Sequence, residues 1–217
     1  MKIYGSHLVN LPAPTGSFMS ALRFAAVTAI ALILSGCNYQ TIADPKLSAR
    51  DLELMALAPP QPRDIDPQRA RYRITNPTSE KVPGTIVVDS NDKFLYLIEE
   101  NNMALRYPIA VGQDAYIWSG VAKVGRKAEW PSWTPGNEAR SLNPGLPVTV
   151  PGGPQNPLGA RAIYLYDNGK DTQYRIHGTN EPDSIGRNQS LGCIRMYNID
   201  VIDLYNRVKD GAKVVVL

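Results

Sequence analysis

From Gly84 onward the chain is broken into short apolar runs separated by turn residues, and that rhythm leaves room for little except a β-rich fold. Thr85 to Asp89 is followed by a turn at Ser90-Asn91-Asp92, and Phe94 to Ile98 by a turn at Asn101-Asn102. Ala104 to Val111 comes next, and its Pro108 predicts an edge position or a bulge, because proline cannot donate to a ladder. Ala162 to Tyr166 and Thr172 to His177 flank Asp167-Asn168-Gly169-Lys170, a strong hairpin signal. Asn198 reads as the cap of a helix with Val201, Leu204, Tyr205 and Val208 on one face. Gly211 closes that helix, and Lys213 to Leu217 predicts a last strand. The expectation is a mostly β domain with one helix near its C-terminus and no internal repeats.

Two stretches break the rhythm. Gly125 to Gly159 is dense in Pro and Gly and contains Trp130-Pro131-Ser132-Trp133, which reads either as an ordered cleft wall or as tryptophans capping the core. Asn38 to about Val82 is rich in Pro, Arg and Asp, with a short helix possible over Leu47 to Leu57. It reads either as irregular chain packed on the domain or as a flexible tether with an end-to-end distance on the order of 35–40 Å.

Phe24 to Leu34 is an 11-residue apolar run preceded by Arg23. A bilayer span needs about 20 such residues, whereas a secretory signal core needs this length. The run ends in Leu34-Ser35-Gly36-Cys37, which resembles a bacterial lipobox and predicts lipid on Cys37 after cleavage. The competing reading is a buried apolar helix with a core cysteine. Met19 is an alternative start. The resulting division is a leader over 1–36, a tether or linker over 37–82 and a β-rich domain over 83–217. Removing the leader takes away Lys2 and Arg23, so the net charge falls from +3 to +1 and nothing argues for a nucleic-acid partner.

The mature chain then keeps a single histidine, His177 in Arg175-Ile176-His177-Gly178-Thr179-Asn180, and a single unlipidated thiol, Cys193 in Ser190-Leu191-Gly192-Cys193-Ile194-Arg195-Met196. An unpaired thiol in an exported protein calls for a reason, and a thiol in reach of an imidazole is the minimum equipment for thiolate catalysis. Ordinary cysteine is only about 3% thiolate at neutral pH, and an imidazolium at His177 is the expected source of further ionisation. Alternation places Cys193 and Arg195 on one face, with Ile194 and Met196 inward. In the preceding strand it places Arg175 and His177 on the cleft side, with Tyr174 and Ile176 inward. Gly192 admits a substrate backbone, and the N–H groups of Gly192 and Cys193 are candidate oxyanion donors. Each residue also has a structural reading: a buried small cysteine, a satisfied histidine, a solvated arginine. One Cys and one His fall short of a metal site, and no cofactor is expected.

These motifs resemble the L,D-transpeptidase catalytic domain, also called the YkuD domain, in an ErfK/YbiS-like lipoprotein member. The matching text is His177-Gly178-Thr179-Asn180, then Ser190-Leu191-Gly192-Cys193-Ile194-Arg195-Met196 and Asn198. Gly84 to Asp89 with Leu95-Tyr96-Leu97 is similar to the family's opening hairpin, and Asn156-Pro157-Leu158-Gly159 with Ala162 to Leu165 to the strand before its histidine. The resemblance implies a β-sandwich-like domain acting on peptidoglycan stem peptides. It makes Cys193 the nucleophile, His177 its base, and Gly192 and Cys193 the oxyanion holders. Arg195 then orients substrate or supports the thiolate, with Gly178, Thr179 and Ser190 around them. Leu191 departs from the pattern, since many members have a second histidine there. The implied reaction is acyl transfer from a tetrapeptide stem to an amine, with carboxypeptidase activity when water is the acceptor. The alternatives are a non-catalytic wall-binding lipoprotein on the same scaffold and a sortase-like transpeptidase. Asn38 after the lipobox points to the outer membrane, periplasmic side.

Overall fold

The computed structural model of the protein describes residues 39–62, 69–113, 118–190 and 192–217. The expected leader, Cys37 and Leu191 lie outside the described residues. In chain order the elements are β1 (Gln40–Thr41), α1 (Ala49–Leu57), β2 (Tyr72–Thr75), β3 (Ile86–Asp89), β4 (Phe94–Ile98), β5 (Met103–Gly112) and β6 (Gly120–Glu129). They continue as α2 (Asn137–Leu142), β7 (Arg161–Asp167), β8 (Lys170–His177), β9 (Asn188–Ser190), β10 (Ile194–Met196), α3 (Asn198–Arg207) and β11 (Lys213–Val216). The domain is mostly β, as the alternating runs predict.

The strands pair in the order β5-β10-β8-β7-β6-β11-β3-β4, and β4 pairs with β5 to close the circuit. Period-two alternation fills its interior: Ile86, Val88, Leu95, Leu97, Leu105, Tyr107 and Ile109 are buried there together with Ile176, Ile194 and Met196. Each such side chain stabilises the fold by roughly 1.5–3 kcal/mol when fully withdrawn from water. α3 covers one side through Val201 and Leu204. The Asp167–Lys170 turn carries positive φ at Asn168 (47°) and Gly169 (76°), the geometry that joins twisted antiparallel strands in two residues.

Pro108 is neither at an edge nor in a bulge. It pairs with Phe94 inside β5, at the point where β5 changes partner from β2 (through Arg106) to β10 (from Ile109). The missing N–H therefore falls where the strand's other edge is between neighbours. Residues 125–129 belong to β6 rather than to the Pro/Gly-rich connection, and Trp130, buried with Ala160 and Ile202, caps a separate small core.

The described parts of 39–82 are not a free tether. β1 pairs with β2, and β2 with β5. α1 is capped by Ser48 and Asp51 in a reciprocal box. Asp51 is 2% exposed and accepts two bonds from the Arg161 guanidinium, at 2.8 and 2.9 Å, and one from Trp130 Nε1 at 2.9 Å. Burial pushes this carboxyl's pKa up, but the bonds from Arg161, Trp130 and Ser48 outweigh it and hold the group well below the usual carboxylate range. A buried guanidinium in β7 needs a carboxylate, and this segment supplies it.

Candidate active site

β8 and β10 run parallel, with Ile194 opposite Ile176 and Arg195 opposite His177. Cys193 comes just before β10, and its Sγ meets the Arg175 N–H and the Gln173 carbonyl of β8. Ile176 and Ile194 point into the core, so Arg175, His177, Cys193 and Arg195 share the other face. Two rows cross the sheet on that face. One contains Ala162, His177, Arg195 and Ala110. The other contains Arg126, Tyr164 and Arg175. Cys193 and His177 are diagonal neighbours on adjacent strands, with backbones on the order of 8 Å apart by strand spacing. A diagonal of that length is one that an aromatic ring can bridge toward its neighbour.

His177 is buried, not open to a cleft as alternation alone predicts. Its Nδ1 lies 2.6 Å from Gly178 O. A carbonyl only accepts, so Nδ1 carries the proton and Nε2 is the basic nitrogen of the neutral ring. Burial, with the Arg195 charge adding to it, lowers the imidazole pKa to about 3, against the opposing pull of the Gly178 and Pro157 carbonyls. At rest the ring is therefore neutral. This corrects the expectation of an imidazolium lowering the thiol's pKa. The thiol itself is pushed up by burial, and the nearby Arg175 and Arg195 only partly offset that shift. Its Sγ donates to Gln173 O at 3.9 Å, as a protonated thiol does.

The other expected site residues build the centre rather than present polar groups to it. Ser190 Oγ donates to Cys193 O and accepts the Gly192 N–H at 3.2 Å. Gly192 N–H is thus engaged in this conformation, which corrects its reading as a ready oxyanion donor and leaves Cys193 N–H as the remaining member of that pair. Gly178 N–H donates to Arg161 O at 3.0 Å. Thr179 Oγ1 accepts the Glu181 N–H at 2.9 Å, and the Glu181 carboxylate holds Arg195 Nη1 at 2.7 Å. Asn198 is not the helix cap that its sequence position suggests. Tyr197 is the cap residue, and the Asn198 side chain instead accepts from Ala160 N–H (3.0 Å) and Thr179 N–H (3.1 Å) and donates to Thr179 O (2.9 Å). A Cβ on Gly159 or Gly178 would collide with Asn198 Oδ1, so these two positions must be glycine for the His177 loop to lie this close. Sequence reasoning missed Glu181, Asp171 and this use of Asn198. Arg175 was placed on the right face, but with no role.

The family model named YkuD, L,D-transpeptidase catalytic domain, matches residues 83–216. The probable L,D-transpeptidase YbiS of Escherichia coli (strain K12) is 38% identical over 138 residues, covering 59% of this chain and 43% of that protein. The probable L,D-transpeptidase ErfK/SrfK of the same organism is 35% identical over 140 residues, covering 62% of this chain and 44% of that protein. The chain thus spans less than half the length of these curated relatives. A solved chain from Brucella melitensis, called a probable carnitine operon oxidoreductase caia, is 46% identical and covers 70% of this chain and 96% of its own, with a TM-score of 0.48. Because the family model takes in well over half of the sequence, including the strands that carry His177 and Cys193, this chain belongs to the L,D-transpeptidase catalytic domain (YkuD) family.

Proposed function

We propose that this protein is a peptidoglycan L,D-transpeptidase that works through a cysteine acyl-enzyme. The observation that supports the reading is the His177 Nδ1 to Gly178 O contact, which favours Nε2 as the basic nitrogen of a ring whose strand runs beside the Cys193 segment. His177 Nε2 takes the Cys193 proton as the sulfur attacks the carbonyl of the third stem residue. The C–N bond to the terminal D-alanine breaks, its amine leaves with the proton from His177, and a thioester remains. An incoming amine then attacks the thioester, gives its proton to His177, and the thiolate departs to be reprotonated. A second stem as acceptor yields a 3–3 cross-link, a protein amine yields wall attachment, a free D-amino acid yields exchange, and water yields carboxypeptidase activity. Arg195 faces the same row as His177 and is suited to a substrate carboxylate once it parts from Glu181.

Lipidation at Cys37 and a periplasmic, outer-membrane location belong to the same proposal, supported by the apolar run and lipobox-like text of the leader. Incubation of the purified protein with disaccharide-tetrapeptide should give a mass adduct on Cys193 and free D-alanine, both lost in C193A. No adduct under any acceptor condition overturns the reading in favour of a wall-binding module. Labelled palmitate should enter the wild type and not Cys37→Ser; equal labelling of the two overturns the anchor.

A further inference from the structure

We propose that Arg175 is the cation that partners the Cys193 sulfur as it ionises, and that Asp171 and Tyr164 are the positioning residues that hold it there. This rests on Cys193 being the acyl carrier. Four features of the fold converge on it. First, Cys193 directly precedes β10, whose Ile194 pairs with Ile176, and the Cys193 sulfur takes a backbone hydrogen bond from Arg175 on β8. Second, β8 is irregular at this point. The pairing with β7 shifts between Tyr164 and Tyr166, and Gln173 takes a positive φ of 66°. Such a bulge re-aims the residues that follow it. Here the sulfur sits against the re-aimed backbone, taking the Arg175 N–H and donating to Gln173 O.

Third, the guanidinium is fixed. Arg175 Nη1 and Nη2 meet the Asp171 carboxylate at 2.7 and 2.9 Å, and Nη1 also donates to Tyr174 O at 3.0 Å. Its Cζ lies 4.5 Å from the Tyr164 ring centre, and Arg126 stacks on the same ring at 3.6 Å. The side chain is 13% exposed, so its charge is poorly screened. Fourth, of the two guanidinium charges that favour the thiolate, Arg175 acts more strongly than Arg195. Arg195 is tied to Glu181, and the buried His177 ring is neutral. Asp171 opposes ionisation with its own charge, but less than the Arg175 charge favours it. A neutral imidazole can accept the thiol proton, yet the ion pair so formed lies in a buried place, and a fixed guanidinium offsets that cost without reorganising.

The test is the rate of iodoacetamide alkylation at Cys193, located by peptide mass, as a function of pH in the full chain. Arg175→Gln should move the profile up by about one pH unit, a roughly tenfold slower reaction at any pH below it, and Arg175→Lys should recover most of that loss. A profile for R175Q superimposable on the wild type, in protein with an unchanged thermal midpoint, overturns the proposal. Should R175Q not fold, Tyr164→Leu keeps every charge and removes the platform; it should shift the profile the same way by less, and no shift overturns the proposal. Alkylation needs no substrate. A missing stem-peptide adduct with the predicted alkylation shift therefore defeats the transpeptidase reading alone.

Discussion

Asn198 and Thr179 exchange two hydrogen bonds, Thr179 N–H to Asn198 Oδ1 at 3.1 Å and Asn198 Nδ2 to Thr179 O at 2.9 Å, and so the first residue of α3 holds the loop that follows His177. Asn198→Ala leaves the buried N–H groups of Ala160 and Thr179 without an acceptor. At about 1–3 kcal/mol for each stranded group, the expected loss is about 3 kcal/mol, read as a lower denaturant midpoint with an unchanged slope.

Gly178→Ala puts a methyl group against Asn198 Oδ1 and 2.9 Å from Ala160 N. Relief requires the loop to move, and His177 is its neighbour in sequence. A stability cost of about 1–3 kcal/mol is expected, together with a fall in the Cys193 adduct rate of at least about tenfold, since misplacing a reacting group by an ångström costs more than that. Unchanged adduct kinetics would mean the loop gives way without carrying the imidazole.

Asp51→Ala leaves the buried Arg161 guanidinium with only the longer 3.8 Å contact to Glu129 as a carboxylate partner and should cost about 3 kcal/mol at pH 7. The Asp51 pKa is depressed in the folded chain, so the unfolded chain binds its proton first on acidification. Its contribution is complete above the unfolded value of about 4 and declines as pH falls below it. The gap between wild type and variant should therefore narrow from pH 7 to pH 3 in denaturant titrations.

With the His177 pKa near 3, the imidazole does not change charge across the range where histidines usually titrate. With a neutral ring taking the proton of a neutral thiol, the adduct rate should stay level from about pH 5 to pH 8, with no break near 6.5. The same burial weakens the fold as pH drops below about 6.5, because only the unfolded chain then takes up the proton. A break in the rate profile near 6.5 would contradict a buried neutral ring.

Glu181→Gln releases Arg195 from a carboxylate whose side chain is 62% exposed. An exposed pair of this kind is worth about 0–1 kcal/mol. The expected outcome is KM for the stem peptide lowered by up to about fivefold, with kcat little changed, measured by D-alanine release.

The hairpins and the last helix and strand are legible because each depends on local alternation and turn chemistry. Asn168-Gly169 alone fixes how β7 returns as β8. What escaped depends on partners distant in sequence. Tyr72 to Thr75 has no strong apolar pattern and is a strand only because β5 offers it an edge. Asp51 looks like any acid near a helix start until Arg161 lies beside it, 110 residues on. The neutral state of His177 is not legible locally, because burial is set by the packed chain around the ring rather than by the His177 segment itself. Arg175 could be assigned a face from alternation, but its alignment with Cys193 needed the β8–β10 register and the irregularity at Gln173.

The pairing of Gln40 with Arg73 has one more consequence. With acyl chains on Cys37, only three residue steps separate the lipid from a strand stitched into the domain, and three extended residues cover about 11 Å. Such an enzyme is moored, not leashed. On the proposed anchor, such a domain would reach only stem peptides near its own membrane, and lengthening that short spacer should widen the reach.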